Sequence, residues 1–265
     1  MKIEEIVKLM DENHVAISDL IAERHEFATK TFNKEGKREH IALAIPINRE
    51  ITAESFTSLM QLYSHLNRNY DVSFSSSIAT YLHEGRALIL KNLYEIHKQK
   101  PIDYVLWIDS DMVYKIEDFE KSLQMMKRRN IAMLSGLYLT KRSIANKPVY
   151  MYFDGKDYKL ADNYPQENAL IKVDAVGFGF FLCRGKELMA LYEKYGPSLF
   201  KLGNDNSGRM VGEDVIFSMA VTKEKIPMYV WTAIQLGHEG AVMKPKMFKA
   251  CNTPETLNKI EWERM

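Results

Sequence analysis

Hydrophobic positions recur along this chain in two rhythms, and the switches between them mark its elements. From residue 1 to about 33, Ile3, Ile6, Val7, Met10, Val15, Ile17, Leu20 and Ile21 return at mostly helical spacing, with Glu and Lys between them. This predicts an N-terminal helix that ends before Gly36. Ile41 to Ile47 (IALAIPI) is then apolar throughout, the pattern of a strand buried on both faces of a parallel sheet. Ser55, Leu59, Leu62, Tyr63 and Leu66 set the register of a following helix, and Asp71 to Ser77 reads as a short strand. A helix over Tyr81 to His97, a buried strand over Asp103 to Ile108, a helix over Phe119 to Arg129 and a strand over Ile131 to Leu139 continue the alternation.

After Thr140 the rhythm changes. PVYMYFD, DYKLADNYP and ALIKVDAVGFGFFLCR read as short strands joined by turns, an antiparallel excursion. Helices over residues 185–195 and Asp214 to Lys223, and a strand over Pro227 to Ala233, close the pattern. Strands alternating with helices imply an α/β fold, doubly wound, with a mainly parallel central sheet and right-handed crossovers. The chain divides into an N-terminal helical extension (residues 1–38) and one α/β domain (residues 39–265). The extension is either a helix packed on the domain or an oligomerisation helix.

Composition narrows the partners. The 265 residues carry 36 basic and 35 acidic side chains, a formal net charge of +1. That balance supplies no bulk field for nucleic acid or membrane. The basic groups Lys127 to Arg129 and Lys141-Arg142 could track a phosphate backbone or be solvated surface charge. Two separated cysteines, Cys183 and Cys251, form neither a disulfide framework nor a zinc site. The charged N-terminus lacks the apolar core of a signal peptide, and no apolar run approaches the roughly 20 residues of a membrane helix. A cytoplasmic protein is expected.

The most informative stretch is VLWIDSDMVY, where a buried strand ends in Asp109-Ser110-Asp111. Ligands of open α/β sheets bind outside the carboxyl ends of strands. Two carboxylates there repel unless a cation sits with them, and hard oxygen ligands suit Mn2+ or Mg2+ bridging to phosphates. A turn in which Asp109 caps the next helix is the alternative. Downstream, Gly177 and Gly179 permit unusual backbone angles or close approach of a substrate, and Phe178 between them could stack on a sugar. Glu213 and Asp214 stand at a helix start, as caps favoured by the dipole or as acid–base groups.

IDSDM (Ile108 to Met112), with the small-Arg helix start EGRAL upstream, GED (Gly212 to Asp214) and the late GHEG, resembles the GT-A glycosyltransferases, in particular their family-2-like group. The resemblance implies the GT-A fold and transfer of a sugar from a nucleotide-sugar donor, such as a UDP-sugar, to an acceptor hydroxyl. It implies Asp109, Asp111 and His238 as metal ligands. Pro46, Ile47, Asn48, Arg86, Asp109, Ser110 and Lys244 would contact the donor, with Gly85 close by, and Gly177, Phe178 and Gly179 the acceptor. Asp214 would be the general base of an inverting transfer, with Glu213 beside the acceptor. Where the family has Arg-Asn, this chain has Arg86-Ala87. The acceptor is a glycan, small molecule, lipid, protein or modified nucleic-acid base.

Two other readings remain. WIDSDMV also fits a haloacid-dehalogenase-like phosphotransferase with Asp109 as nucleophile and Asp111 as acid/base. That motif normally opens its domain, however, and the late G-E-D-V lacks the matching metal pattern. The same fold could also serve a non-catalytic nucleotide- or glycan-binding protein.

Overall fold

A computed structural model describes residues 37–47, 50–79, 81–141, 147–204, 208 and 210–239. The expected helical extension (but for residues 37 and 38), Asn48, Arg142, Lys244 and Cys251 lie outside the described residues. No described helix is long and apolar enough to cross a membrane.

Chain order runs β1 (His40–Ile47), α1 (Ala53–Asn69), β2 (Asp71–Ile78), α2 (Leu82–Gln99), β3 (Tyr104–Ile108), β4 (Met112–Val113), α3 (Ile116–Arg129) and β5 (Met133–Leu137). There follow β6 (Tyr150–Phe153), β7 (Tyr158–Leu160), β8 (Leu170–Val173), β9 (Ala175–Val176), β10 (Phe180–Arg184) and α4 (Gly185–Tyr195). The last described elements are β11 (Gly203–Asn204), β12 (Met210–Val211), α5 (Glu213–Lys223), β13 (Met228–Gln235) and β14 (Gly237–His238). The fold class expected from the sequence, α/β with a mainly parallel central sheet and an antiparallel excursion, is the one observed.

The seven-stranded sheet has the order β2-β1-β3-β10-β5-β13-β8. Pairing is parallel for β1 with β2, β1 with β3 and β13 with β5, and antiparallel around β10 and β8. The excursion does not stand wholly apart from this sheet. Only β6, β7 and β9 form a separate three-stranded sheet, while β10 enters the centre of the main one. Its residues Phe180 to Cys183 are fully buried, which suits an inner position better than an edge.

The period of two sorts side chains between two cores. Ile41, Leu43 and Ile45 point to the face covered by Leu59, Leu62 and Leu66 of α1 and Phe119, Leu123 and Met126 of α3. Ala42 and Ala44 point to the other, where Ile89, Leu90 and Leu93 of α2 pack with Trp107 and the Phe178, Phe181, Phe200 and Phe217 rings. Helix α3 starts at Ile116, earlier than the expected Phe119, because Asp118 accepts the Lys115 N–H at 2.8 Å. It ends at Asn130, which takes the left-handed conformation (φ 53°) that asparagine tolerates.

Candidate functional site

The carboxyl ends of β1, β2 and β3 meet the start of α2. Pairing of β1 with β3 stops at Ala44, but pairing with β2 continues through Pro46 to Ile47. Pro46, which has no N–H to donate, thus lies within the β2 ladder, beyond the last residue paired with β3. The chain after β1 returns to the D-S-D turn, where Thr52 N–H donates to the Ser110 carbonyl at 3.2 Å. Gly85 lets α2 approach β2: a Cβ there would lie 2.7 Å from Ser77 Oγ.

Asp109 and Asp111 have different fates. Asp109 Oδ1 accepts from Arg86 at 2.6 Å, and the same guanidinium pairs with Glu213 Oε1. Arg86 is 2% exposed, and its guanidinium carbon lies 4.8 Å from the Phe178 ring centroid. Burial works against its charge, but Asp109 and then Glu213 outweigh that and raise its pKa. Arg86, expected at the donor, is thus a buried cross-link between the end of β3 and the start of α5. Among the described residues its Nε has no hydrogen-bond partner.

Asp111 faces the opposite way. The short strand β14 pairs with β4 (His238 opposite Met112), and Glu239 N–H donates to the Asp111 carbonyl at 2.9 Å. This ladder brings the late histidine to the D-S-D turn. His238 Nδ1 lies 2.7 Å from the Leu139 carbonyl, an acceptor only, so Nδ1 carries the proton and donates. Nε2 then faces Asp111 Oδ1 at 3.5 Å. That oxygen is buried and has no hydrogen-bond partner among the described residues; Oδ2 accepts from Lys141. Burial pushes the Asp111 carboxyl up, but the Lys141 ammonium, together with His238 when its ring is doubly protonated, outweighs it and holds its pKa below the ordinary value.

A metal-binding histidine is typically oriented through its other nitrogen onto a carbonyl or carboxylate. His238 has that arrangement, and Asp111 beside it supplies hard oxygens. Of the three expected metal ligands, the structure brings these two together. Asp109 is drawn off by Arg86, and no described group of three or more His, Cys, Asp or Glu side chains could hold a metal ion.

Glu213 is mostly buried, its carboxylate committed to Arg86. Asp214 follows it at the first turn of α5, one oxygen accepting the Val215 N–H at 2.9 Å. Burial first, then the neighbouring Glu213 charge, raise the Asp214 pKa to about 6, against the pull of Arg86. A carboxyl poised there can exchange a proton near neutrality.

The glycines of G-F-G make room for protein, not for an open cleft. A Cβ on Gly177 would overlap the Tyr138 hydroxyl, and one on Gly179 would lie 2.7 Å from Tyr138 Cζ. Neither takes a positive φ. The Tyr138 hydroxyl instead accepts the Gly179 N–H at 2.9 Å. Phe178 is 1% exposed, packed among Trp107, Phe181, Phe200 and Phe217 with Arg86 over its ring, so no free face remains to stack on a sugar.

Two residues were missed by the sequence reading. Thr52 Oγ1, at the N-cap of α1, and Ser77 Oγ, near the end of β2, are buried and unpartnered among the described residues. With Asp111 Oδ1 and Arg86 Nε they give the strand-end rim four unsatisfied polar atoms. Such groups are costly unless a ligand or water completes them. Thr52 reads in the sequence as an ordinary helix cap, and the Ser77 hydroxyl inside a strand carries no signal of its own.

The fold and site together define a mixed α/β protein with a carboxylate–imidazole corner at its strand ends. No protein-family model matches the chain, and no curated protein matches it in sequence. Among solved structures, the crystal structure of A197 from STIV is similar with a TM-score of 0.51 and 18% identity, over 75% of this chain and 85% of that one. At that identity the likeness shows a shared fold alone. A glycosyltransferase involved in the glycosylation of the major capsid of PBCV-1 matches with a TM-score of 0.35 and 15% identity, over 60% of this chain and 66% of that one. GalNAc-T7 with UDP, GalNAc and Mn2+ matches with a TM-score of 0.44 and 13% identity, over 85% of this chain and 48% of that one. At these scores the last two carry no weight.

Proposed function

We propose that this chain is a metal-dependent glycosyltransferase of the GT-A type that moves a sugar from a nucleotide-sugar donor, such as a UDP-sugar, to an acceptor hydroxyl with inversion. One observation carries the reading: Asp111 Oδ1, buried without a hydrogen-bond partner, faces a histidine nitrogen whose ring is already oriented by the Leu139 carbonyl. Asp111 and His238 would hold Mn2+ or Mg2+, and a divalent ion there offsets the charge that develops on a leaving diphosphate.

The remaining chemistry belongs to the chain. Thr52, Ser77 and Ser110, with Pro46 and Ile47, would surround the nucleoside at the strand ends. Asp214, with its pKa near 6, takes the proton from the acceptor hydroxyl. The freed oxygen bonds to the anomeric carbon as the bond from that carbon to the phosphate oxygen breaks, and the diphosphate leaves with the electron pair. Arg86 holds Asp109 and Glu213, which keeps the base helix against the end of β3.

A phosphotransferase reading would use Asp109 as its nucleophile, and one oxygen of that carboxylate is held by a buried arginine. The discriminating experiment is a thermal-shift screen of nucleoside diphosphates and nucleotide sugars with and without Mn2+. Ligand bound only by the native state raises the melting temperature. A shift that needs both Mn2+ and one nucleotide, and disappears in Asp111→Asn, is the expected result. No shift with any nucleotide, but one with Mg2+ plus beryllofluoride, would overturn the proposal in favour of the phosphotransferase. Nucleotide binding with no transfer to any acceptor class would point to a binding protein.

A further inference from the structure

Lys141 is the charged group at this site that the transfer reading leaves unused. The backbone leading to it is anchored twice. Thr140 N–H donates to the Lys147 carbonyl at 2.9 Å, and Lys147 N–H donates back to Thr140 Oγ1 at 3.1 Å. Leu139, one residue earlier, bridges to Pro148 and offers the carbonyl that orients His238. The strand exit that fixes the imidazole therefore also fixes the root of the Lys141 side chain.

From that root the ammonium reaches Asp111 Oδ2, with the lysine side chain 31% exposed and the carboxylate 27%. One Asp111 oxygen thus carries a tethered positive charge, while the other faces His238 Nε2 without a hydrogen bond. An ion pair this open to water contributes little to folding. Its position matters more, because it fills the place a divalent ion would contest. An ammonium on a flexible four-carbon stem is a point charge that can change partners without moving the backbone.

We propose that Lys141 is a tethered counter-ion of the Asp111 site, which neutralises Asp111 until a divalent ion takes the carboxylate and then turns to the donor's diphosphate. The inference rests on the reading of Asp111 and His238 as metal ligands. Two consequences of opposite sign follow. Competition from Lys141 weakens metal binding to the nucleotide-free protein. Once the metal is bound, the released ammonium favours a diphosphate. Metal and nucleotide therefore bind with a positive coupling that Lys141 supplies, reciprocal between the two ligands.

The test is a Mn2+ titration of the full chain, with free Mn2+ counted by electron paramagnetic resonance, with and without UDP. Wild type is compared with Lys141→Met, Lys141→Arg and Asp111→Asn. The expected result is that Lys141→Met binds Mn2+ roughly two- to fivefold tighter than wild type without UDP, the range set by a partly exposed ion pair. The same variant should gain less Mn2+ affinity from UDP, and Lys141→Arg, which keeps the charge, should restore the wild-type pattern. Lost Mn2+ binding in Asp111→Asn together with an unchanged titration in Lys141→Met would overturn the counter-ion proposal alone. Unaltered Mn2+ binding in Asp111→Asn would overturn both the proposal and the metal reading beneath it.

Discussion

The two aspartates of D-S-D are two residues apart, yet they belong to different regions of the molecule. Asp109 faces inward to Arg86, with Glu213 on the guanidinium's other side and the Phe178 ring beneath it. Asp111 faces the half-exposed corner, where one oxygen has no hydrogen-bond partner and the other has a lysine. Both regions are ionic and the two carboxylates are about equally exposed (25% and 27%), but the first sets a buried arginine against two carboxylates while the second leaves one buried carboxylate oxygen without a hydrogen bond. Identical residue types in one turn thus divide into a structural cross-link and a site with spare coordination. The division follows from which element each side chain meets: α2 and α5 for Asp109, the β14 ladder for Asp111.

The largest effect should come from breaking the closed region. Arg86→Met leaves the mostly buried Glu213 and the part-buried Asp109 without their shared cation. Removing one partner of a buried ion pair costs about 3–5 kcal/mol. Urea denaturation should show that loss, and a variant within about 1 kcal/mol of wild type would mean the cluster is solvated and merely decorative. The next comparison sets the two aspartates against each other. Asp109→Asn should lower stability by about 1–3 kcal/mol, the cost of weakening a buried charge-assisted bond. Asp111→Asn should leave the melting temperature nearly unchanged while abolishing Mn2+ binding and transfer. Equal losses of stability in the two variants would erase the distinction.

The smallest expected effect belongs to Asp214, whose pKa is raised to about 6 from an ordinary 3.8. Because the folded value is the higher one, the associated stability is complete below about pH 4 and is lost as pH rises through 6. Above pH 6 the ionised carboxylate is a burden on the fold. Asp214→Asn should therefore melt roughly 2–4 °C higher than wild type at pH 7.5, and the gain should vanish near pH 4. Transfer should fall about tenfold per unit below pH 6 in wild type and be lost in the variant. A wild-type profile flat from pH 5 to 8 would remove Asp214 from the role of base.

The periodic elements were legible in the sequence. IALAIPI reads as a strand buried on both faces because its neighbours in the sheet and both helix layers are apolar, and it folds as one. The D-S-D turn was legible because it interrupts an apolar run. The β14–β4 ladder was not: two residues are too few for a hydrophobic period, so the family resemblance alone linked His238 to Asp111, and only the fold shows the ladder that joins them. Arg86 was likewise expected at the donor, since its place in α2 says nothing of a glutamate 127 positions later.

By itself the sequence determined which segments are strands and helices, through the fixed periods of two and 3.6 that sort apolar side chains onto faces. It also determined that two carboxylates would stand at the end of a buried strand. Tertiary structure alone decided what each carboxylate would meet, that β10 would enter the centre of the sheet, and that the ring of Phe178 would be covered. Those outcomes depend on contacts between residues far apart in the chain, and local propensity carries no information about them.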